Sequence, residues 1–450
     1  MSDIHFHTTR RDFLTGGLSL LSAASTLPIF LGNTATLLAQ SAPTTGGKKR
    51  DDASPILVIV QLSGGNDGLN TVVPYGMDAY YQYRRRLALQ QKDLLKIADG
   101  FGLNPAAAGL KELFDAGRMS IVHGVGYPNP NRSHFVSTDI WHTADPNLRQ
   151  HSGWLGRYLD AECCGSDPGK RDASAKREAN DAPDPLHGIA LMQETPLAMM
   201  GERFMPLSFG DPDDLSWRNP KGDAAARETW EKLNNIDGKF SGLGSPIAQF
   251  LQRAALQAQV GADQIKEAAG GAVAGPSGRR RRGRPNGPDA LNNQLQMVAR
   301  MIAADLPTRV YYVSLGGFDT HSQQMDRHAR LLTQFGNSMR DFLNTLQEDG
   351  LLDRVLVLAF SEFGRRVQEN ASGGTDHGEA APLFLFGSAL RPGLHGQHPD
   401  LRKLNRGDLA HTVDFRQVYA AVLRDWLKIK PEEVLGPGFG PLRLLKKSQA

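Results

Sequence analysis

The chain is poor in cysteine. It has two in 450 residues, and those two, Cys163 and Cys164, are adjacent. Neighbouring cysteines bridge only with strain, so no disulfide framework holds this protein together. It also lacks an excess of either charge. The formal net charge is +3, which gives no ground for expecting nucleic acid as a partner. The basic surplus is local, in Arg279, Arg280, Arg281, Arg282 and Arg284. Such a run can meet nucleic acid or anionic lipid, but a solvated loop is the plainer reading. Internal repeats are missing. Long apolar runs are scarce too: Thr15 to about Leu38 is only moderately apolar, is broken by Pro28 and is barely long enough to span a bilayer.

What precedes that stretch is more telling. Thr8-Thr9-Arg10-Arg11-Asp12-Phe13-Leu14 sets a twin arginine before an apolar pair, and small residues follow around Ala39 to Ala42. Residues 1–42 read as a twin-arginine signal peptide and 43–54 as a flexible lead-in. The alternative is a membrane anchor left uncleaved. The twin-arginine route carries folded proteins, often with a metal or cofactor already loaded. The expectation is therefore a periplasmic or extracellular protein that meets the twin-arginine translocase during export.

Hydrophobic residues make up 40% of the chain, enough for a sizeable core. Ile56 to Leu62 is a continuous apolar, β-branched run, as expected of a strand buried on both faces. Similar runs recur at Met119–Val125, Arg309–Leu315, Arg354–Phe360 and Pro382–Phe386. Helical periodicity lies between them, at 105–116, 290–304, 323–347 and 415–427. The alternation predicts a single α/β domain over 55–450, with a mostly parallel central sheet and helices on both faces. Gly165 to Asp184 and Gly270 to Pro288 lack periodicity and read as disordered insertions.

The polar motifs follow the strands. Ser63-Gly64-Gly65-Asn66-Asp67-Gly68 comes after the first, and Asn131-Arg132-Ser133-His134 after the second. Phe318-Asp319-Thr320-His321 and Ser361-Glu362-Phe363-Gly364-Arg365 come after the next two, and Gly374-Thr375-Asp376-His377-Gly378 lies in the following loop. In open α/β sheets ligands bind beyond the carboxyl ends of strands. Each motif has a plain alternative. Asp67 suits a turn, Asp319 suits a helix cap, Glu362 could pair with Arg365 or Arg366, and Ser133 suits an N-cap. Together, carboxylates and imidazoles gathered at one edge are ligands for a divalent cation, and without one the carboxylates would repel. Ser133, leading into a helix beside Arg132, is the candidate nucleophile. His134 is a ligand, an acid/base or a packing residue.

These motifs, with Thr412-Val413-Asp414-Phe415-Arg416-Gln417-Val418-Tyr419, resemble a bacterial family known as a domain of unknown function (number fifteen-zero-one), many of whose members carry twin-arginine signals. The resemblance covers nearly all of the mature chain. That family looks like a distant branch of the alkaline phosphatase and sulfatase superfamily. The resemblance implies an alkaline-phosphatase-like fold, a first-strand ligand at Asp67, a nucleophile at Ser133, and ligands at Asp319 and His321 with shorter spacing than usual. An expected Asp-His pair falls at Glu362-Phe363, where the His is replaced; Asp376-His377 would supply the imidazole from the next loop. There is no Cys/Ser-x-Pro-x-Arg segment of the formylglycine sulfatases.

The expectation is an exported, metal-dependent hydrolase of phosphate or sulfate esters, with a small-molecule or saccharide ester as substrate. One or two divalent ions (Zn, Mn, Mg or Ca) would be held by Asp67, Asp319, His321, Glu362, Asp376 and His377. Ser133 would attack, assisted by Arg132 and His134, and Arg132 or Arg365 would hold the anion. The alternative is a metal-containing anion- or carbohydrate-binding or structural protein on an inherited hydrolase fold.

Overall fold

Ile56–Ser63 (β1) is apolar at nearly every position and buried throughout except at Ser63. Such a strand must lie between two layers, and it sits in the middle of a nine-stranded sheet. The other strands are Met119–Gly126 (β2), Gly188–Ala190 (β3), Leu207–Ser208 (β4), Val310–Gly316 (β5), Val355–Phe360 (β6), Ala381–Phe386 (β7), Gly393–His395 (β8) and Val413–Asp414 (β9). Their order across the sheet is β8-β2-β7-β6-β1-β5-β3-β4, with β9 also on β2. The structure, a computed structural model, describes residues 54–164, 184–215, 261, 264–268, 287 and 289–446. The expected signal peptide lies outside them. So do the lead-in, apart from Ser54, and the two insertions, apart from Asp184 and Gly287. No described helix is long and apolar enough to cross a membrane.

Helices cover both faces. They are Ala108–Asp115 (α1), His134–Thr143 (α2), Trp154–Cys164 (α3), Ala290–Ala303 (α4), Gln324–Glu348 (α5) and Phe415–Ala421 (α6). Alternate residues of a strand point to opposite faces, and the core divides accordingly. Val58, Val60 and Leu62 join Leu110 of α1, Val298 of α4 and Phe335 of α5. Leu57 and Ile59 join Trp141 of α2, Trp154 of α3 and Tyr419 of α6. Burying one such aliphatic side chain contributes about 1.5–3 kcal/mol relative to leaving it exposed. The two layers, in a chain with so few cysteines, supply the cohesion.

The fold class read from the sequence is the one observed: a mostly parallel sheet with helices on both faces. One strand departs from it. β7 runs antiparallel to both β6 and β2, while the remaining neighbours pair in parallel. The reversal matters for the site. The connection from β6 to β7 starts and ends at the same edge of the sheet, so Glu362 at its beginning and His377 near its end share one rim. A parallel β7 would have carried His377 to the far edge. The Thr412–Tyr419 motif has a structural role: Asp414 ends β9 and caps α6, accepting from the Arg416 N–H, while Gln417 accepts from the Asp414 N–H in return.

Candidate functional site

The carboxyl ends of β1, β2, β5 and β6 meet at this rim, and glycine lets them close on one another. Gly64 and Gly65 have φ of +116° and +78°, which favours glycine. A Cβ on Gly64 would lie 2.4 Å from the Asp319 nitrogen, and one on Gly65 2.4 Å from the Phe363 ring. Arg365 fastens the loops together. Its buried guanidinium donates to the carbonyls of Gly64, Gly65, Phe318 and Thr375 and to Asp319 Oδ1.

Three imidazoles converge on Asp319. Its Oδ1 lies 3.1 Å from His321 Nε2, 3.1 Å from His377 Nε2 and 3.6 Å from His134 Nε2. His134, Asp319 and His377 offer donor atoms that all lie within 4.8 Å of one another. Each ring is anchored through its other nitrogen. His134 Nδ1 donates to Glu362 Oε1 at 2.7 Å, His321 Nδ1 to Asp376 Oδ1 at 3.1 Å, and His377 Nδ1 to the Arg132 carbonyl at 2.8 Å. Each Nδ1 faces an acceptor, and with the proton placed there the Nε2 of a neutral ring carries the lone pair. His321 Nε2 and His377 Nε2 are then 2.9 Å apart. Two lone pairs at that distance repel unless a cation or a shared proton lies between them.

The electrostatics agree. The Glu362 hydrogen bond raises the pKa of His134 against the opposing effect of burial. Burial lowers the pKa of His377, opposed by its bonds to the Arg132 carbonyl and Asp319. Asp319 is pulled both ways: burial pushes it up, but the Arg365 hydrogen bond and the neighbouring His377 ring outweigh this and bring it to about 2. It is a carboxylate at any ordinary pH. The group fits a cation: His134, His377 and Asp319 offer donor atoms within 4.8 Å of one another, and His321 Nε2 adds a further nitrogen 2.9 Å from His377.

The other residues expected at the site are placed differently. Asp67 is fully buried, with both oxygens on Arg84 and one also on Gln324. It stands apart from the imidazole group. Glu362 is buried and faces the group only through His134, its Oε1 also accepting from the Gly64 N–H at 2.8 Å. Asp376 stands behind His321 and is held by Asn370. Arg365, expected to hold an anion, is buried with its guanidinium against four carbonyls and Asp319. Arg132 is likewise tied to Glu379 and Asp408. Ser133 occupies the N-cap position of α2, yet its side chain makes no cap hydrogen bond, and the residue is exposed.

Two residues here were not expected. Arg84 neutralises Asp67, and nothing in the Arg84-Arg85-Arg86 run distinguishes it from its neighbours. Phe363, where a histidine was anticipated, packs its ring against both His134 and His377, at 4.9 and 4.7 Å. It forms an apolar floor beneath the two imidazoles.

Fold and rim define a layered α/β protein whose Asp and His side chains gather at the carboxyl ends of mostly parallel strands. Within that class, the chain belongs to the family described as "Protein of unknown function (DUF1501)", which matches residues 120–435. No curated protein matches it. Among solved structures it is similar to the lipoteichoic acid synthase LtaP from Listeria monocytogenes, at 10% identity and a TM-score of 0.36 over 92% of this chain and 82% of that one. It is similar to Ps i-CgsB in complex with k-i-k-neocarrahexaose, at 12% and 0.37 over 86% and 75%. It is also similar to the phosphonate monoester hydrolase SpPMH from Silicibacter pomeroyi, at 9% and 0.31 over 86% and 77%. Likeness at this level is too loose to carry a function.

Proposed function

We propose that the protein is an exported, metal-dependent hydrolase of phosphate or sulfate esters. The observation that carries the proposal is the set of three imidazoles, each tethered through Nδ1, whose Nε2 atoms face the Asp319 carboxylate. His134, His321, His377 and Asp319 would hold the cation. A nitrogen-rich donor set suits Zn²⁺ or Mn²⁺ better than Mg²⁺ or Ca²⁺, which favour oxygen. Such an ion supplies Lewis acidity to a developing oxyanion and lowers the pKa of a nearby hydroxyl.

The chain's own groups have distinct tasks. Ser133, exposed and without a cap bond, is the nucleophile, one residue before the His134 ligand. The N-terminus of α2 favours negative charge developing there. Glu362, Asp376 and the Arg132 carbonyl hold the Nδ1 protons and so keep Nε2 unprotonated. Phe363 closes the floor against water. Export through residues 1–42 would put this chemistry in the periplasm or outside the cell, which fractionation of cells carrying an Arg10→Lys, Arg11→Lys variant tests.

The test of the chemistry is release of p-nitrophenol from its phosphate and sulfate esters by chelator-stripped protein before and after Zn²⁺ or Mn²⁺ is restored. Turnover should return with metal and vanish in Ser133→Ala while the metal stays bound. A second reading has support of its own: Arg365 is committed inside the fold, and Nη2 of the half-exposed Arg132 is tied to Glu379 and Asp408. Bound metal without turnover of either ester would favour an anion- or carbohydrate-binding protein.

A further inference from the structure

Asp67 and Asp319 follow adjacent parallel strands, with β1 paired to β5 from Leu57–Val310 to Ser63–Gly316. Equivalent placement would let both carboxylates serve cations. Their partners differ. Arg84 is fully buried, and a guanidinium has five N–H donors. All five are matched. Nε donates to the Val367 carbonyl at 2.8 Å, Nη1 to Asp67 Oδ2 and to Asn70 Oδ1, and Nη2 to Asp67 Oδ1 at 3.0 Å and to the Arg366 carbonyl at 2.8 Å. Gln324 donates to Asp67 as well. A metal ion at Asp67 would have to displace a buried cation with every hydrogen bond satisfied. Glu362 is no freer, since its Oε1 takes both the Gly64 N–H and His134 Nδ1.

We infer that this rim holds one cation rather than two, on the His134, Asp319, His321 and His377 side, and that Arg84 is a permanent positive charge that neutralises Asp67 in place of a second ion. The inference rests on the metal-centre reading above. Its chemical consequence is that one ion serves the reaction, so any second positive contribution at the rim comes from fixed guanidinium groups.

The experiment is metal counting on the full chain by atomic emission, after loading with Zn²⁺ or with Mn²⁺ and dialysis, together with calorimetric titration of the stripped protein. One equivalent per chain is expected, falling to none in His377→Ala and staying at one in Asp67→Asn. Two equivalents in the unaltered chain, or loss of the single one in folded Asp67→Asn, would overturn the one-cation inference while leaving a metal centre in place. No equivalent in the unaltered chain would remove the metal centre and this inference with it. If Asp67→Asn does not fold, the count on the unaltered chain decides.

Discussion

Asp67 and Asp319 are the same residue at the same place on neighbouring strands, yet their surroundings are opposite. Asp67 is 1% exposed and sealed against Arg84, whereas the Asp319 side chain is 45% exposed and faces three imidazoles. Strand topology delivers both to the rim, but the cation that arrives from elsewhere in the fold decides what each becomes. With both oxygens on a buried guanidinium, Asp67 is a structural strut. Asp319 meets the buried Arg365 through one oxygen and keeps a half-open face toward the imidazoles.

The comparison can be broken most sharply at the open side. Asp319→Ala should abolish metal retention, an effect beyond the ~10–100-fold that outer-shell changes cost. Its folding stability should fall less than that of Asp67→Ala, because the buried Arg365, left without this carboxylate, keeps four carbonyl acceptors. Equilibrium dialysis and urea denaturation read the two quantities separately. On the closed side the pattern should invert. Asp67→Ala leaves Arg84 buried without its counter-ion and should cost about 3–5 kcal/mol in chemical denaturation, with one equivalent of metal still bound. A loss of metal with unchanged stability would show that the roles are assigned the wrong way round.

Smaller effects sharpen the contrast. Glu362→Gln keeps an acceptor for His134 Nδ1 but removes its charge, and metal affinity should fall about 10–100-fold by titration. The last test is pH. His328 lies on the closed side, with Nε2 2.9 Å from Asn66 Oδ1. Burial lowers its pKa to about 4, partly opposed by Asp67. The unfolded chain, with an ordinary histidine near 6.5, binds the extra proton between these values. Stability from this group is therefore present above pH 6.5 and is lost as pH falls toward 4, at up to about 1.4 kcal/mol per pH unit. Chemical denaturation of His328→Gln across that window should show a flatter slope, and an unchanged slope would remove His328 from the account.

Much of the fold was legible because strands buried on both faces are written as unbroken apolar runs. Ile56–Leu62 and Arg354–Phe360 announce themselves, and the motifs after them mark the rim. The direction of β7 was not legible, since Pro382–Phe386 is equally apolar read either way; only its pairing with β6 and β2 reverses it. Within the site, the residues that meet at Asp319 stood out as Asp and His near strand ends. Which groups stand in front and which behind did not. The bond between His134 and Glu362 spans 228 positions and that between Arg132 and His377 spans 245, so no local pattern encodes them. Arg84 was hidden for a related reason. It lies in a run of three arginines, and only the packing around Asp67 singles it out.

The position of β1 also governs how the chain can fold. Its two neighbours, β5 and β6, begin at Val310 and Val355, so the first strand of the sheet to be synthesised waits more than two hundred residues for either partner. Loop closure over such distances is slow. Meanwhile an apolar, β-branched segment is left with both edges open, the kind of surface that self-associates. The second edge of Ile56–Ser63 is paired only once the chain has been made as far as Phe360.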